Sequence, residues 1–358
     1  MENKSDSLEV EVEDNAGDDE VETPIKYSIT SYGADYTIDG LVKRINAGDI
    51  YVPSFQRSFV WPLTECSKFI ESLLLGLPVP GIFLSKEQKT QKLLIIDGLQ
   101  RLKTLQSFYA GIFPQTKKEF ELKKVQSQFE GKTYLTLAVE DRRRLDDSII
   151  HATIIKQDEP SSDDSSIYHI FERLNTGGMQ LVEQEIRACV YHGEFNDLLR
   201  RLNANDNWRS TFGKVSARMR DQELILRFLA LFFKKDYNRP MKDFLNKFMS
   251  EQRHLGVISE KKISDVFNET ILLVETHIGE NAFKPRKSLS AAIFDSVMIG
   301  IARRLEKDRI HDPQGLKKIY DQLLANVEFT DAIENHTSDA EKVSKRIELA
   351  TKAFDRVS

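Results

Sequence analysis

The sequence predicts an α+β protein, in which a small mixed α/β region at residues 24–180 precedes an all-α region at residues 181–358. Short strand patterns and amphipathic helix patterns alternate up to residue 180, and from Glu183 onward almost every segment has the helical period. The chain of 358 residues exceeds the usual size of one compact domain. Residues 1–23 lack aromatic residues and contain few apolar ones, which predicts a disordered tail.

The tail at residues 1–23 is strongly acidic. It contains ten acidic residues and one basic residue, a net charge of −9, so the rest of the chain carries +4 of the total −5. Such a tail could simply keep the protein in solution, or it could cover a basic groove on the folded body. The charge alone leaves both interpretations open.

Composition excludes several classes of protein. With 40% hydrophobic and 30% charged residues, the chain is neither a membrane protein nor collagen-like nor wholly disordered. The longest apolar run, at residues 224–233, is interrupted by Arg227 and is about half of what a bilayer span needs. We do not expect secretion, because a charged-then-apolar pattern does not follow Met1. Cys66 and Cys189 form neither a disulfide framework nor a metal knuckle. We therefore expect a cytoplasmic protein with both cysteines serving as packing residues.

The elements of the α/β region follow from periodicity and breakers. Those predicted up to residue 111 are a helix at Thr37–Ile45, a strand at Ile50–Val52, a helix after Pro62 with Thr64 as N-cap and a buried face reaching Leu77, strands at Ile82–Leu84 and Leu93–Ile96, and a helix from Gly98 to Gly111. A charged loop or hairpin at Lys117–Lys132 precedes a strand at Ser148–Ile155, a loop at Asp158–Ser166 and a helix at Ile167–Leu174. The later helices are predicted at 183–192, 194–203, 218–234, 239–250, 260–278, 287–305, 313–326 and 337–355.

The first candidate site is the strand–turn–helix at Leu93–Leu105. Gly98 permits a left-handed turn, and Arg101 lies in the first helical turn, where free N–H groups favour an anion. A phosphate site would leave Arg101 exposed in a pocket, ready for charge-assisted hydrogen bonds. In the structural alternative, Asp97 caps the helix and Arg101 pairs with a nearby acid. The residues do not decide between these two interpretations.

The second candidate is the end of the strand that begins at Ile50. Gln56 could bond a base or ribose edge and Arg57 could hold a phosphate. Phe55, Phe59 and Trp61 could stack on a base, but we expect them in the core.

The third candidate is the loop formed by Asn175, Thr176, Gly177 and Gly178. It is either a helix C-cap with a turn or an anion-binding nest. We expect the three candidate segments to converge on one pocket.

Four segments in a fixed order carry a family resemblance: PSFQRSFVW, IESLLLGLPVPGIFL, IIDGLQRLKTLQSFYAG and FERLNTGGMQLVEQEIR. Over roughly residues 37–230 they resemble the N-terminal domain of GmrSD-type modification-dependent restriction enzymes, which has a ParB/sulfiredoxin-like fold. The resemblance implies binding of a nucleoside triphosphate with Mg²⁺, hydrolysis of that nucleotide, and DNA, modified or foreign, as a partner. It implies catalytic roles for Asp97, Gln100 and Arg101. The nucleotide contacts it implies are Gln56, Arg57, Gly98, Arg101, Asn175, Thr176, Gly177 and Gly178.

Two positions depart from the family pattern. Leu99 replaces the first glutamine of the D-G-Q-Q-R motif, so one polar contact of the family pattern is absent. This departure bears on hydrolysis more than on binding. Val182 stands where the family usually has Ser or Thr, so a capping box with Glu185 is not expected.

A nuclease centre is not expected in this chain. An HNH-like centre needs clustered His, Asn and Asp around a metal, and the seven histidines lie at least eighteen residues apart. We therefore expect the nuclease on a separate subunit, and here no tightly bound protein-ligated metal. The leading hypothesis is a nucleotide-binding sensor or regulator of a DNA-restriction or anti-phage system. The alternative is a non-enzymatic DNA-binding or scaffold module that has lost hydrolysis.

Overall fold

The computed structural model describes residues 10–11, 28–51, 59–87, 90–159, 165–174, 181–234, 236–237, 240–285, 288–311, 313–334, 337 and 339–357. The chain divides into two compact units. One unit comprises Lys26–Leu181, and the other comprises Val182–Ser358 together with Met1–Ile25. Most of the acidic tail lies outside the described residues.

The described residues form strands and helices with the following bounds. The strands are β1 (Val10–Glu11), β2 (Ser28–Thr37), β3 (Ile50–Tyr51), β4 (Ile82–Lys86), β5 (Leu93–Asp97), β6 (Ile149–Glu159) and β7 (Leu289–Ser290). The helices are α1 (Ile38–Ala47), α2 (Leu63–Leu74), α3 (Leu99–Ala110), α4 (Val139–Asp147), α5 (Ser165–Leu174), α6 (Glu183–Val190), α7 (Glu194–Asn203), α8 (Asp206–Phe212), α9 (Arg220–Phe233), α10 (Met241–Gln252), α11 (Glu260–Leu273), α12 (Ala291–Lys307), α13 (Gly315–Leu324), α14 (Val327–Glu334) and α15 (Ala340–Phe354). The mixed α/β region followed by a helical region confirms the predicted α+β class.

The unit of residues 26–181 contains a mixed sheet with the strand order β2-β6-β4-β5-β3. β2 is antiparallel to β6, β6 is parallel to β4, and β4 is antiparallel to β5. β3 lies beside β5 and parallel to it, with Ile50 opposite Leu93. Because β3 and β5 run in the same direction, the chain leaves both strands at the same end of the sheet.

The helices α1, α2 and α3 pack on the sheet through apolar faces. Leu41, Ile70, Leu105 and Ile95 are fully buried in one hydrophobic cluster. The N-cap of α1 is Thr37, whose hydroxyl accepts a hydrogen bond from the Gly40 N–H at 3.2 Å. Burial of Leu105 and Ile95 in the same cluster fixes the position of α3 relative to β5, the strand that precedes it.

Two details of α2 differ from the sequence prediction. Its N-cap is Pro62 rather than Thr64, because Pro62 has extended backbone and the helix already begins at Leu63. Leu77 was expected on the buried face but is 53% exposed. Gly76, with φ of 71°, turns the chain away from the helix before Leu77 is reached.

The second unit is built from α6 to α15 around the long apolar helices α9 and α12. Buried ionic groups connect its helices: Asp295 on α12 lies between Arg227 of α9 and Arg346 of α15. In the described tail, β1 pairs in parallel with β7. None of the described helices is both long and apolar enough to cross a membrane.

The start of α6 has half of a capping box, in agreement with the expectation that the complete box does not form. The carboxylate of Glu185 accepts a hydrogen bond from the Val182 N–H at 2.8 Å, which is one half of a capping box. The reciprocal half needs a side-chain acceptor that valine lacks. The replacement at position 182 therefore removes one of the two bonds and not the whole cap.

Candidate functional site

The turn between β5 and α3 has a geometry that requires glycine. Gly98 has φ of 100°, and a Cβ at this position would overlap the side chain of Ile82. The left-handed backbone and the close approach of β4 each exclude a larger residue. Gly98 is itself the N-cap, so α3 begins without a side-chain cap and Asp97 does not cap it.

Arg101 is held by the protein's own groups. Its Nη2 donates to Asp97 Oδ2 at 2.5 Å. Its Nη1 donates to the backbone oxygen of Pro80 at 2.6 Å and to that of Gly81. The Arg101 side chain is 13% exposed, whereas that of Asp97 is 50% exposed. Arg101 is thus not exposed in a pocket, and the group at this turn that faces solvent is the Asp97 carboxylate.

Gln100 binds the chain segment that follows the second candidate motif. Its side-chain oxygen Oε1 accepts from the Val60 N–H at 2.9 Å and from the Trp61 N–H at 3.2 Å. The turn after β5 and the segment after Gln56 and Arg57 are therefore in direct contact, although Gln100 and Val60 are 40 residues apart.

A second glutamine, which the sequence analysis did not single out, holds the same segment. Gln115 Nε2 donates to the backbone oxygens of Phe59 and Trp61, both at 3.2 Å. It follows α3 in an ordinary polar turn, and no motif or periodicity marks it. The only signal would have been the knowledge that residues 59–61 pass beside that turn.

The aromatic residues of this segment point into the domain, as predicted. Phe59 packs edge-on against Phe113, with ring centroids 6.0 Å apart, and Trp61 packs against Phe69 at 5.9 Å. Both rings are partly buried against the hydrophobic cluster. Packing, rather than stacking on a ligand, accounts for these two residues.

Cys66 lies directly under the segment. Its Sγ is 3.7 Å from the Trp61 oxygen and receives a hydrogen bond from the Thr104 hydroxyl at 3.4 Å. Burial raises the pKa of the Cys66 thiol to about 11, so the thiol stays protonated. With Cys189 also fully buried, both cysteines are confirmed as packing residues.

Several predicted site residues lie outside the described residues: Phe55, Gln56, Arg57, Asn175, Thr176, Gly177 and Gly178. The structure describes the chain on both sides of the second segment, ending at Tyr51 and resuming at Phe59. It also places α5, which ends one residue before Asn175, against β5. Convergence of Arg57 with Arg101 remains a prediction.

Within the described parts of the chain, no group of three or more His, Cys, Asp or Glu side chains is arranged to hold a metal ion. A shallow cleft between α1 and α4 is lined by Asp39, Arg142, Arg143 and Asp146 among others, and contains none of the predicted site residues. Because arginine and aspartate side chains both line this cleft, it favours neither anionic nor cationic ligands.

Comparison with known proteins agrees with the motifs. Residues 38–192 match the family model described as "GmrSD restriction endonuclease, N-terminal domain". No curated protein matches the sequence. The matched range contains Asp97, Gln100, Arg101 and residues 59–61, and it ends shortly after α6. Residues 38–192 therefore resemble the N-terminal domain of GmrSD restriction endonucleases, as the four sequence segments predicted.

Proposed function

We propose that this protein binds a nucleoside triphosphate at the end of the sheet where β3 and β5 finish. We also propose that it is the sensor or regulatory component of a DNA-restriction or anti-phage system. The family match supports the link to restriction and to DNA. The nuclease would be on a separate subunit.

One observation carries the proposal. β3 and β5 are parallel neighbours, and the candidate segments that follow them are joined by the bonds from Gln100 to Val60 and Trp61. In open α/β sheets, ligands bind beyond the carboxyl ends of such strands. Arg57 precedes Val60 by three positions, and three steps along the chain span at most about 11 Å. This short covalent connection supports the proposal that Arg57 acts at the same site.

The roles of the residues follow from what they already contact. The guanidinium of Arg101 already donates hydrogen bonds to Asp97, Pro80 and Gly81. We therefore assign Arg101 chiefly to holding Asp97 and the Pro80–Gly81 backbone. A half-exposed carboxylate can accept a hydrogen bond from a ribose hydroxyl or ligate Mg²⁺ on a nucleotide. We assign that role to Asp97, and phosphate contacts to Arg57 and the Asn175–Gly178 loop.

The engagement of Arg101 also favours the second candidate function. A DNA-binding or scaffold module without hydrolysis would keep these internal contacts, and Leu99 already departs from the family motif. Turnover of ATP and GTP, measured with and without DNA, separates the two candidates. The sensor predicts nucleotide turnover that responds to DNA, whereas the scaffold predicts DNA binding and no turnover.

Binding is tested with purified full-length protein by equilibrium dialysis against ATP and GTP in the presence of Mg²⁺. The test variant is Asp97→Asn, which keeps the shape and an acceptor for Arg101 but removes the charge. We expect at least a tenfold loss of affinity, the size of one charge-assisted contact of about 1.5–3 kcal/mol.

The matched control is Asp39→Asn, which neutralises another half-exposed aspartate, paired with Lys43 at 2.7 Å on α1. It should bind nucleotide like the unmodified protein. Absence of ATP and GTP binding by the unmodified protein at millimolar concentration would refute nucleotide binding. Unchanged affinity in folded Asp97→Asn would refute the role of Asp97.

A further inference from the structure

We infer that the loop at residues 213–220 of the helical unit is a contact surface for the phosphate backbone of duplex DNA. We call this segment the basic loop. The inference rests on the DNA partner of the proposed function, to which it adds a specific surface. Every residue that carries it belongs to the described part of the helical unit.

The basic loop lies in a part of the chain without acidic residues. Residues 207–220 contain four basic residues and no acidic residue, although the whole chain carries a net charge of −5. Three of the four basic residues, Lys214, Arg218 and Arg220, belong to the loop. Such a local excess of positive charge favours an anionic partner.

Two of the loop's cations are left without an acidic partner. Lys214 and Arg220 are exposed, and neither side chain is paired with a carboxylate of the described residues. Arg218 differs, because its Nη2 lies 3.2 Å from Glu185 Oε2. Other exposed cations of this unit have a carboxylate partner at 2.8 Å or less, and examples are Lys261, Lys317 and Lys345. The charges of Lys214 and Arg220 are therefore available to a group outside the chain.

Buried Asp221 holds the basic loop in one shape. The Asp221 side chain is fully buried, and its Oδ2 accepts from the Ser216 N–H at 3.1 Å and from Arg209 Nη1 at 3.0 Å. The Ser216 hydroxyl accepts from the backbone N–H groups of Arg218 and Arg220, both at 3.2 Å. Because these bonds order the loop before a ligand binds, less conformational entropy is lost when its cations meet a phosphate.

The loop also contains a backbone conformation that side chains rarely adopt. Met219, between Arg218 and Arg220, has φ of 54°. Left-handed backbone costs free energy for a residue other than glycine, and it persists where the surrounding structure enforces it. Such residues are concentrated at functional sites. In the basic loop, the strained residue is the one that joins the two arginines.

Duplex DNA fits this surface better than a small anion does. Lys214 and Arg220 are exposed rather than enclosed, whereas small ligands bind in closed clefts. Lys214 precedes Ser216 by two positions, a distance of at most about 7 Å, so its charge and that of Arg220 arise from one small patch. Lysine and arginine contacts to DNA phosphates position a protein on the duplex without reading its sequence. We assign this role to Lys214 and Arg220.

The test uses the full-length protein and a short fluorescent duplex of arbitrary sequence, because phosphate contacts do not depend on sequence. Affinity is measured by fluorescence anisotropy over a range of salt concentrations. The test variant is the double substitution Lys214→Gln with Arg220→Gln, which removes both charges and keeps polar side chains. Each lost phosphate contact should reduce the salt slope by about 0.9 and affinity at about 0.1 M salt by about eightfold. The double variant should therefore bind about sixtyfold more weakly, with a slope reduced by about 1.8.

The matched control is Lys318→Gln with Lys352→Gln, which removes the same charge from exposed side chains on α13 and α15. It should bind DNA nearly as tightly as the unmodified protein. Arg220→Lys keeps the charge and should keep the salt slope. Both test positions are exposed and lack an acidic partner among the described residues, so thermal melts should show folded variants; the two single substitutions are measured as well.

The outcomes separate the surface from the proposed function. Equal affinities of the test and control variants would overturn the basic loop as a contact surface, although DNA binding itself would stand. Loss of binding to poly-L-glutamate with unchanged DNA affinity would assign the loop to an acidic protein partner and would also overturn the inference. Failure of the unmodified protein to bind DNA at low salt would refute the inference together with the proposed DNA partner. Binding of ATP and GTP, measured separately, would still decide the nucleotide part of the proposed function.

Discussion

The buried ionic group of the helical unit gives the most demanding test of the structure. Asp295 is fully buried on α12, and its Oδ2 lies 2.6 Å from Arg227 Nη2 and 3.3 Å from Arg346 Nη2. Arg227 and Arg346 are also almost fully buried. One carboxylate thus supplies counter-charge to two guanidinium groups that water barely reaches, so screening is weak.

We predict that Asp295→Asn destabilises the protein by about 3–5 kcal/mol, the usual cost of removing one partner from a buried ion pair. The amide keeps the volume of the carboxylate, so no cavity contributes. It loses the charge and turns an NH₂ group towards arginine donors. The corresponding loss in the ratio of folded to unfolded protein is about 150- to 5,000-fold.

The assay is equilibrium unfolding in urea. Trp208 is fully buried in the helical unit and Trp61 belongs to the other unit, so a Trp61→Phe background reports the helical unit by fluorescence. The control is Asp265→Asn, the same change in an exposed pair with Lys261, which solvent screens, so the unfolding free energy should change far less. A loss in Asp295→Asn no larger than in this control would refute the assigned geometry.

Two further predictions concern the α/β unit. Gly98→Ala should lower the unfolding free energy of this unit by about 2 kcal/mol or more, because it combines a left-handed backbone with overlap on Ile82, whereas Gly48→Ala, also left-handed but with nothing within 4 Å, should cost less; a urea titration of protein that retains Trp61, which lies in the same unit, measures the difference. The Cys66 thiol, with its pKa raised to about 11 by burial, should be alkylated by iodoacetamide at pH 8 at least a hundredfold more slowly in folded than in urea-unfolded protein, and equal rates would contradict its buried, protonated state.

Much of the architecture could be predicted from local pattern, and the misses have physical causes. The apolar run before Gly98 and the helical period after it predicted β5 and α3 well. β2 was missed because its sequence, SITSYGADYT, contains few apolar residues and lies at the sheet edge, with Ile29 and Tyr32 about 40% exposed. The hydrogen bonds of β2 go to β6, more than 110 residues away. Only the tertiary structure therefore identifies this segment as a strand.

The missed helices α8 and α14 share a signal that was present in the sequence. Each begins just after an asparagine whose side-chain oxygen caps the helix: Asn205 accepts from the Trp208 N–H and Asn326 from the Phe329 N–H, both at 3.0 Å. Asparagine is a preferred N-cap, but it is as common in turns. Both helices are short, so periodicity could not separate the two possibilities.

The candidate site shows a different limit of sequence interpretation. Gln100 and Arg101 have the chemistry of ligand contacts, yet in the structure each binds the protein's own backbone. Gln100 holds Val60 and Trp61, and Arg101 holds Pro80 and Gly81. An amide or a guanidinium can form hydrogen bonds with a backbone group as readily as with a ligand. Residue type alone could therefore not distinguish the two roles.

This arrangement changes the meaning of the departure at position 99. The residues bound by Gln100 and Arg101 belong to two of the other segments that carry the family resemblance, so the first turn of α3 connects three of the four segments. Leu99 lies between Gly98 and Gln100, but its side chain packs against the hydrophobic cluster and takes no part in those bonds. Replacing a glutamine there leaves the connecting bonds in place. The proposed nucleotide binding would therefore use an architecture that Leu99 preserves, and an assay for nucleotide hydrolysis is the measurement that tests the departure at position 99.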